Sequence, residues 1–310
     1  MKRSIWALLI ITLLNGCAVL NKTQVDAVNQ FALISRNFSA YPSRIIIELD
    51  DIRRERGLYN SNSLIDDPTA HIDNLNSLYD FQVSNSTVSE KVDITFRIID
   101  KYAQSLQLLT SDRYTSDVSD QVKSLSIGLD SLSSLYNSKI RNTPPLPTGI
   151  GNVVSQLVAR GGRQLIRARQ AKELKLFVPR ADALIDIMCK NLLEFLEQSR
   201  IQELLDNEAN NLPRDFKLYL ISRAQLKSNS SIKDEQAYLN LRSRLDGVKL
   251  LKAQSIAAVH SLQEGHHKLV SIVMRKMTLT DNIKEVQIFY EDVKQVRATI
   301  QRIDIARTTR

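Results

Sequence analysis

The stretch VDITFRIIDKYAQSLQLL, residues 92–109, decides the fold class. Val92, Phe96, Ile99, Tyr102, Ala103, Leu106 and Leu109 recur at steps of three and four. That spacing gathers side chains on one face of an α-helix. Downstream, residues 111–117 form a polar break, and Val118, Val122, Leu125, Leu129, Leu132 and Tyr136 then resume the rhythm. Two amphipathic helices joined by a short turn predict an antiparallel hairpin. Upstream, Thr87 or Ser89 is suited to cap the first of this pair, and Ser84-Asn85-Ser86 closes the helix before it. That earlier helix opens at Asp67-Pro68, with Asp at the N-cap and Pro at the first helical position. It carries Ile72, Leu75, Leu78 and Tyr79 on one side.

The same periodicity extends in both directions. Val25, Val28, Phe31, Ala32, Ile34 and Phe38 predict a helix over 21–41, stopped by Pro42. Residues 43–58 restart and end near Gly57, and 59–67 read as a loop by composition. In the second half, helices are expected over 153–177, over 180–210 after a kink or restart at Pro179, and from Pro213 to about 228. A long helix then starts at Ser230 or Ser231 and runs toward Met277, and a last one starts at Thr280-Asp281. No stretch longer than a few residues alternates with period two, so no strand is predicted. The expected fold is all-α: a multi-helix bundle, with an elongated antiparallel arrangement as one form of it.

Composition agrees. Nine Gly, seven Pro and 6% aromatics in 310 residues favour helix. Hydrophobic and charged contents of 43% and 25% are those of a folded body. The length suits one large domain or two smaller ones. Asn142-Thr143-Pro144-Pro145-Leu146-Pro147-Thr148-Gly149-Ile150-Gly151 is the sharpest punctuation, because three prolines in four residues exclude helix and sheet ladder alike. It divides an N-terminal helical half, 17–141, from a C-terminal half, 152–310.

Candidate sites are few. Arg160, Arg163, Arg167, Arg169, Lys172, Lys175 and Arg180 are accompanied by a single acid, Glu173. Arg160, Arg163 and Arg167 share a helix face at i, i+3 and i+7. Guanidinium groups so arranged suit phosphate or carboxylate: a lipid head group, a glycan, peptidoglycan or an acidic partner. A solvated face neutralised by a neighbouring helix is the plainer reading. Gly161-Gly162 marks a break there or a close approach.

His260, Glu264 and His267 fall on one face at i, i+4 and i+7, with His266 pointing elsewhere. A di-iron bundle needs a second Glu-x-x-His, which the chain lacks, so exposed polar residues are expected and no metal site. The paired carboxylates Asp50-Asp51 and Asp66-Asp67 read as surface and capping groups. Cys189, within an apolar helical stretch, reads as a buried inert thiol. No Gly-x-Ser-x-Gly, His-Glu-x-x-His or phosphate-cradling glycine loop is present. Neither enzyme activity nor a cofactor is expected.

The first residues supply the compartment. Met1-Lys2-Arg3 is a positive head, residues 5–14 (IWALLIITLL) are an apolar run, and Asn15, Gly16 and Cys17 follow. This is the layout of a secretory signal, 1–16, with a core too short to span a bilayer. The Leu14-Asn15-Gly16-Cys17 end resembles the lipobox of bacterial lipoproteins, with Asn15 departing from the usual small or apolar residue. The resemblance covers residues 1–18. It implies cleavage before Cys17, acylation of its thiol and new amino group by palmitate-class chains, and attachment to a membrane. Ala18, where an Asp would imply retention in the inner membrane, implies the outer membrane with the body facing the periplasm.

The formal charge of +8 falls to about +6 without Lys2 and Arg3, since residues 1–16 hold no acid. That suits a neighbour of anionic lipid or polymer, and export makes nucleic acid a poor partner. The function expected is an interaction or scaffold role at the outer membrane, with a protein partner in the envelope. The alternatives are an anion-binding module using the basic helix and a periplasmic immunity-type protein.

Overall fold

The computed structural model describes residues 20–41, 43–64, 66–111, 116–139, 145–147, 149, 163–228, 231–274 and 279–308. Among them are eight helices: α1 (Lys22–Ser39), α2 (Arg44–Ser63), α3 (Pro68–Leu109), α4 (Ser116–Lys139), α5 (Arg163–Glu197), α6 (Ser199–Gln225), α7 (Ile232–Val273) and α8 (Leu279–Thr308). No strand occurs among the described residues. The fold is all-α and multi-helix, as the periodicity requires. No helix among the described residues is long and apolar enough to cross a membrane.

Helix starts follow side-chain chemistry. Asn21 and Gln24 form a reciprocal capping box on α1, with bonds of 2.8 and 2.9 Å. Asp67 caps α3 by accepting from the Ala70 N–H at 3.0 Å, with Pro68 in the first turn. Ser231 and Asp234 form a second capping box on α7.

Helix ends were harder to foresee. The expected break at 84–86 does not form, and α3 runs unbroken for 42 residues. Ser and Asn cost a helix only a few tenths of a kcal/mol each, less than the packing on either side of them returns. α2 continues through Gly57 to Ser63, because this glycine lies in a close crossing. A Cβ there would sit 2.4 Å from Leu78 Cδ2 of α3. Pro179 and Pro213 lie inside α5 and α6 rather than at starts. Phe177, Val178, Ala181 and Leu184 are fully buried around Pro179 and hold that helix together. The expected helix over 180–210 instead breaks at Gln198, whose φ of −53° and ψ of 135° lie outside the helical region. α6 leaves α5 there and packs mainly on α2.

α7 is the central mast. It forms a long hairpin with α8 and also touches α1, α2, α5 and α6. α3 packs on α1, α2, α4 and α5. The hairpin of α3 and α4 is antiparallel, since residues 104–108 face 121–125 across one shallow cleft while 93–97 share another with Leu135. Helices on both sides of the 142–151 connection contribute to one core. Phe31, Phe38, Phe96 and Phe289 form a ring chain at its centre, with centroids 5.4–6.0 Å apart. Tyr59, Phe216, Tyr219 and Tyr238 form another between α2, α6 and α7.

α6 closes with the Ser228 N–H bonding to Arg223 O at 2.9 Å and the Lys227 N–H to Ala224 O at 3.0 Å. This closure needs a left-handed residue, usually Gly. Lys227 fills it with φ 53°. A side chain in that region costs roughly 1–2 kcal/mol. Lys227→Gly is therefore expected to stabilise the fold by about 1 kcal/mol, seen as a higher urea midpoint at unchanged slope. A lower midpoint would contradict the strain assignment.

Candidate functional site

Two buried polar constellations stand out. The first belongs to α2, which opens RIIIELDDIRRERG. Ile45, Ile46, Leu49 and Ile52 are buried, and so are Glu48, Asp51 and Arg56. Each charge meets its opposite from a different helix. Arg244 of α7 donates through Nε to Glu48 and through Nη1 to Glu55 Oε1 at 2.8 Å. Arg56 donates to Glu208 Oε2 at 2.6 Å and to Asp215, both on α6. Asp51 accepts from Arg54 at 2.8 Å and from Arg307 of α8, and Arg44 pairs with Asp304.

The side chains of Arg244 and Glu48 are 2% and 1% exposed. Arg244 Nη2 and Glu48 Oε2 have no hydrogen-bond partner. Burial alone would lower the Arg244 and Arg56 pKa values. Their carboxylate partners outweigh it and hold both above the ordinary guanidinium value.

The second constellation lies where α3, α5 and α7 meet. Asp182 Oδ1 accepts from His266 Nδ1 at 2.8 Å and from His267 Nδ1 at 2.9 Å. With Nδ1 carrying the proton, His266 Nε2 accepts the Tyr102 hydroxyl at 2.6 Å. The Phe31 ring packs edge-on to the imidazole at 5.7 Å. Burial pushes the His266 pKa down, against the upward pull of Asp182, so the ring is neutral near pH 7. Burial also pushes the Tyr102 hydroxyl well up. For Asp182 burial works upward, but hydrogen bonds from both imidazoles prevail and hold the carboxyl below its usual range. Hydroxyl, imidazole and carboxylate stand in the order of a nucleophile relay. Yet Tyr102 and His266 are 0% exposed, so the hydroxyl meets no solvent and has no path to a substrate. This arrangement fixes three helices; it does not present a reagent.

His266 points away from the face of His260 and Glu264, as expected: it is fully buried, while those two are exposed. His267 spends its Nδ1 on Asp182, so the i, i+4, i+7 set does not converge. No group of three or more potential ligands is placed for a metal among the described residues. Asp51 is not a surface carboxylate but a buried ion-pair partner, whereas Asp67 caps as expected. Cys189 is fully buried, and burial raises its thiol pKa.

Of the expected anion-binding residues, Arg160 lies outside the described residues. Arg163, Arg167 and Arg169 fall in α5, where only the backbone is described, and Lys172 is exposed. Cys17 also lies outside the described residues.

A cleft of about 770 Å³ opens between α1, α3 and α4, lined among others by Leu33, Arg36, Asp93, Arg97 and Asp100. Arg36 is tied to Asp100 at 3.4 Å and to Gln107 at 2.7 Å. Two cations and two carboxylates leave the lining without net charge. It therefore favours neither an anion nor a cation. No family model, curated protein or solved structure matches this chain.

Proposed function

We propose that this chain is a lipid-anchored, periplasm-facing helical protein with an interaction or scaffold role at the outer membrane. The observation that carries this reading is the signal-like run ending in Leu14-Asn15-Gly16-Cys17, three residues before Leu20. Leu20 is 6% exposed and already belongs to the packed body. A double- or triple-acylated Cys17 would hold that body close to a bilayer, since two or more chains anchor stably where one does not.

Cys17→Ser is expected to abolish the acyl mass and to leave the protein unprocessed or released from membranes. Native mass spectrometry of protein gently extracted from its own membranes reads this directly. A processed Ser variant still fully retained on the membrane contradicts the anchor.

Anion binding through the basic segment of α5 is the second reading. Glu173, the one acid among those cations, is 0% exposed and so is not on the outer surface. The same spectrum distinguishes the two. A stoichiometric protein partner supports scaffolding, and retained phospholipid or glycan supports anion binding.

A further inference from the structure

The corner between α6 and α7 carries side chains that the core does not use. Ile232 is 84% exposed, Leu239 54% and Leu226 50%, and Leu218 and Ile221 are also exposed. Lys217, Lys227 and Lys233 are exposed among them, without an ion pair among the described residues. Of the nearby acids Glu235 is exposed beside Lys233, a single carboxylate against these three lysines, and the other two are turned to structural roles. Asp215 is buried against Arg56 and Arg214, and Asp234 caps α7 through Ser231. Lys227, the first residue past the end cap of α6, is held in the left-handed region where glycine is usual. A charged side chain is thus projected from the turn at a conformational cost.

We propose that this corner is a second membrane-contact site, which docks on an anionic phospholipid surface. Two features select lipid over a protein partner. The exposed large apolar residues of the corner are Ile and Leu, with Lys among them, whereas protein hot spots favour Trp, Tyr and Arg and interfaces are depleted in Lys. Aliphatic side chains beside lysines match an interfacial surface, with alkyl groups entering the acyl boundary and ammonium groups meeting phosphates.

The placement fits too. Gln24 Nε2 donates to Ile272 O at 2.8 Å, which ties the start of the chain's body to the far end of α7. The 42 residues of α7 separate that end from the corner by about 60 Å. With both engaged, the body lies along the bilayer instead of standing on it. The inference rests on the anchored reading only for the presence of a bilayer, and added vesicles remove that dependence.

The test uses the full chain with Trp6→Phe and Ile232→Trp, leaving one indole at the corner. Its emission is followed with vesicles of phosphatidylcholine alone and with added phosphatidylglycerol. A shift to shorter wavelength is expected only with the anionic vesicles, weakening at high salt. Adding Lys217→Gln, Lys227→Gln and Lys233→Gln is expected to weaken the response on the order of 100-fold, from about fivefold per lysine. Circular dichroism checks that these exposed substitutions leave the helices intact. An indole that stays in water with both vesicles overturns the proposal. So does an equal shift with both lipids, or protection only when envelope proteins are added. Repeating the test with Cys17→Ser separates the two ideas: a persisting shift leaves the corner standing even where the anchor fails.

Discussion

Arg244→Met is expected to destabilise the fold by about 3–5 kcal/mol. The substitution keeps most of the side-chain volume but removes the cation between Glu48 and Glu55. Glu48 is fully buried and cannot turn to water. Its carboxylate must then take up a proton or remain charged without a partner, and both cost free energy. The loss is expected to lower the melting temperature by roughly 10 °C, at 2–4 °C per kcal/mol for a domain of this order. Adding Glu48→Leu is expected to recover most of it, because an apolar replacement for a buried pair is often neutral or better. Equilibrium unfolding in urea measures both. A single variant within 1 kcal/mol of the parent would remove the pair from any structural role, and failure of the double variant to recover would place the damage in packing.

The second large effect is acid sensitivity centred on His266. Its pKa is depressed in the fold by burial, while the unfolded chain keeps a value near 6.5. Above that value both states hold the ring neutral, and the stability of the neutral, hydrogen-bonded ring is fully present. As pH falls below about 6.5, the unfolded state takes up a proton that the folded state refuses. Stability then declines as the pH falls, by no more than about 1.4 kcal/mol per pH unit for this one group. Asp182, depressed from an ordinary 3.8, adds a further loss of the same sign at lower pH. His266→Gln is expected to cost stability at neutral pH and to flatten the slope between pH 6.5 and 4.5. Urea midpoints across that range read the slope, and an unchanged slope in the variant would assign the acid response to another group.

Much of the architecture was legible because it rests on short-range chemistry. The stripe from Val92 to Leu109, the caps at Asp67 and Ser231 and the absence of alternation each follow from neighbouring residues. Pro179, Pro213 and Gly57 misled for the complementary reason. Proline and glycine weaken a helix by a fixed local amount, and tertiary packing outweighed it in all three places. The buried polar groups show in the same periodicity. Arg244 lies inside the stripe Leu241, Leu245, Val248; Glu48 lies inside Ile45, Leu49, Ile52; His266 lies between Leu262 and Leu269. A polar residue at a core position of an amphipathic helix announces a partner elsewhere. Which helix supplies that partner is long-range information that spacing does not carry. Gln198 shows the same limit: no Gly or Pro lies between 181 and 212, yet the helix ends there.

The charges of α2 also bear on when the molecule can finish folding. Their partners lie far along the chain: Glu208 is 152 residues beyond Arg56, Arg244 is 196 beyond Glu48, and Arg307 is 256 beyond Asp51. A chain delivered from its N-terminus thus presents an acidic and basic helix long before anything can neutralise it. Until α6, α7 and finally α8 arrive, water is the better solvent for α2, and premature collapse around it is disfavoured. Closure of so many distant pairs slows the last step of folding. The polypeptide is therefore expected to keep its native core open until its final helix is present, a delay that suits the export proposed above.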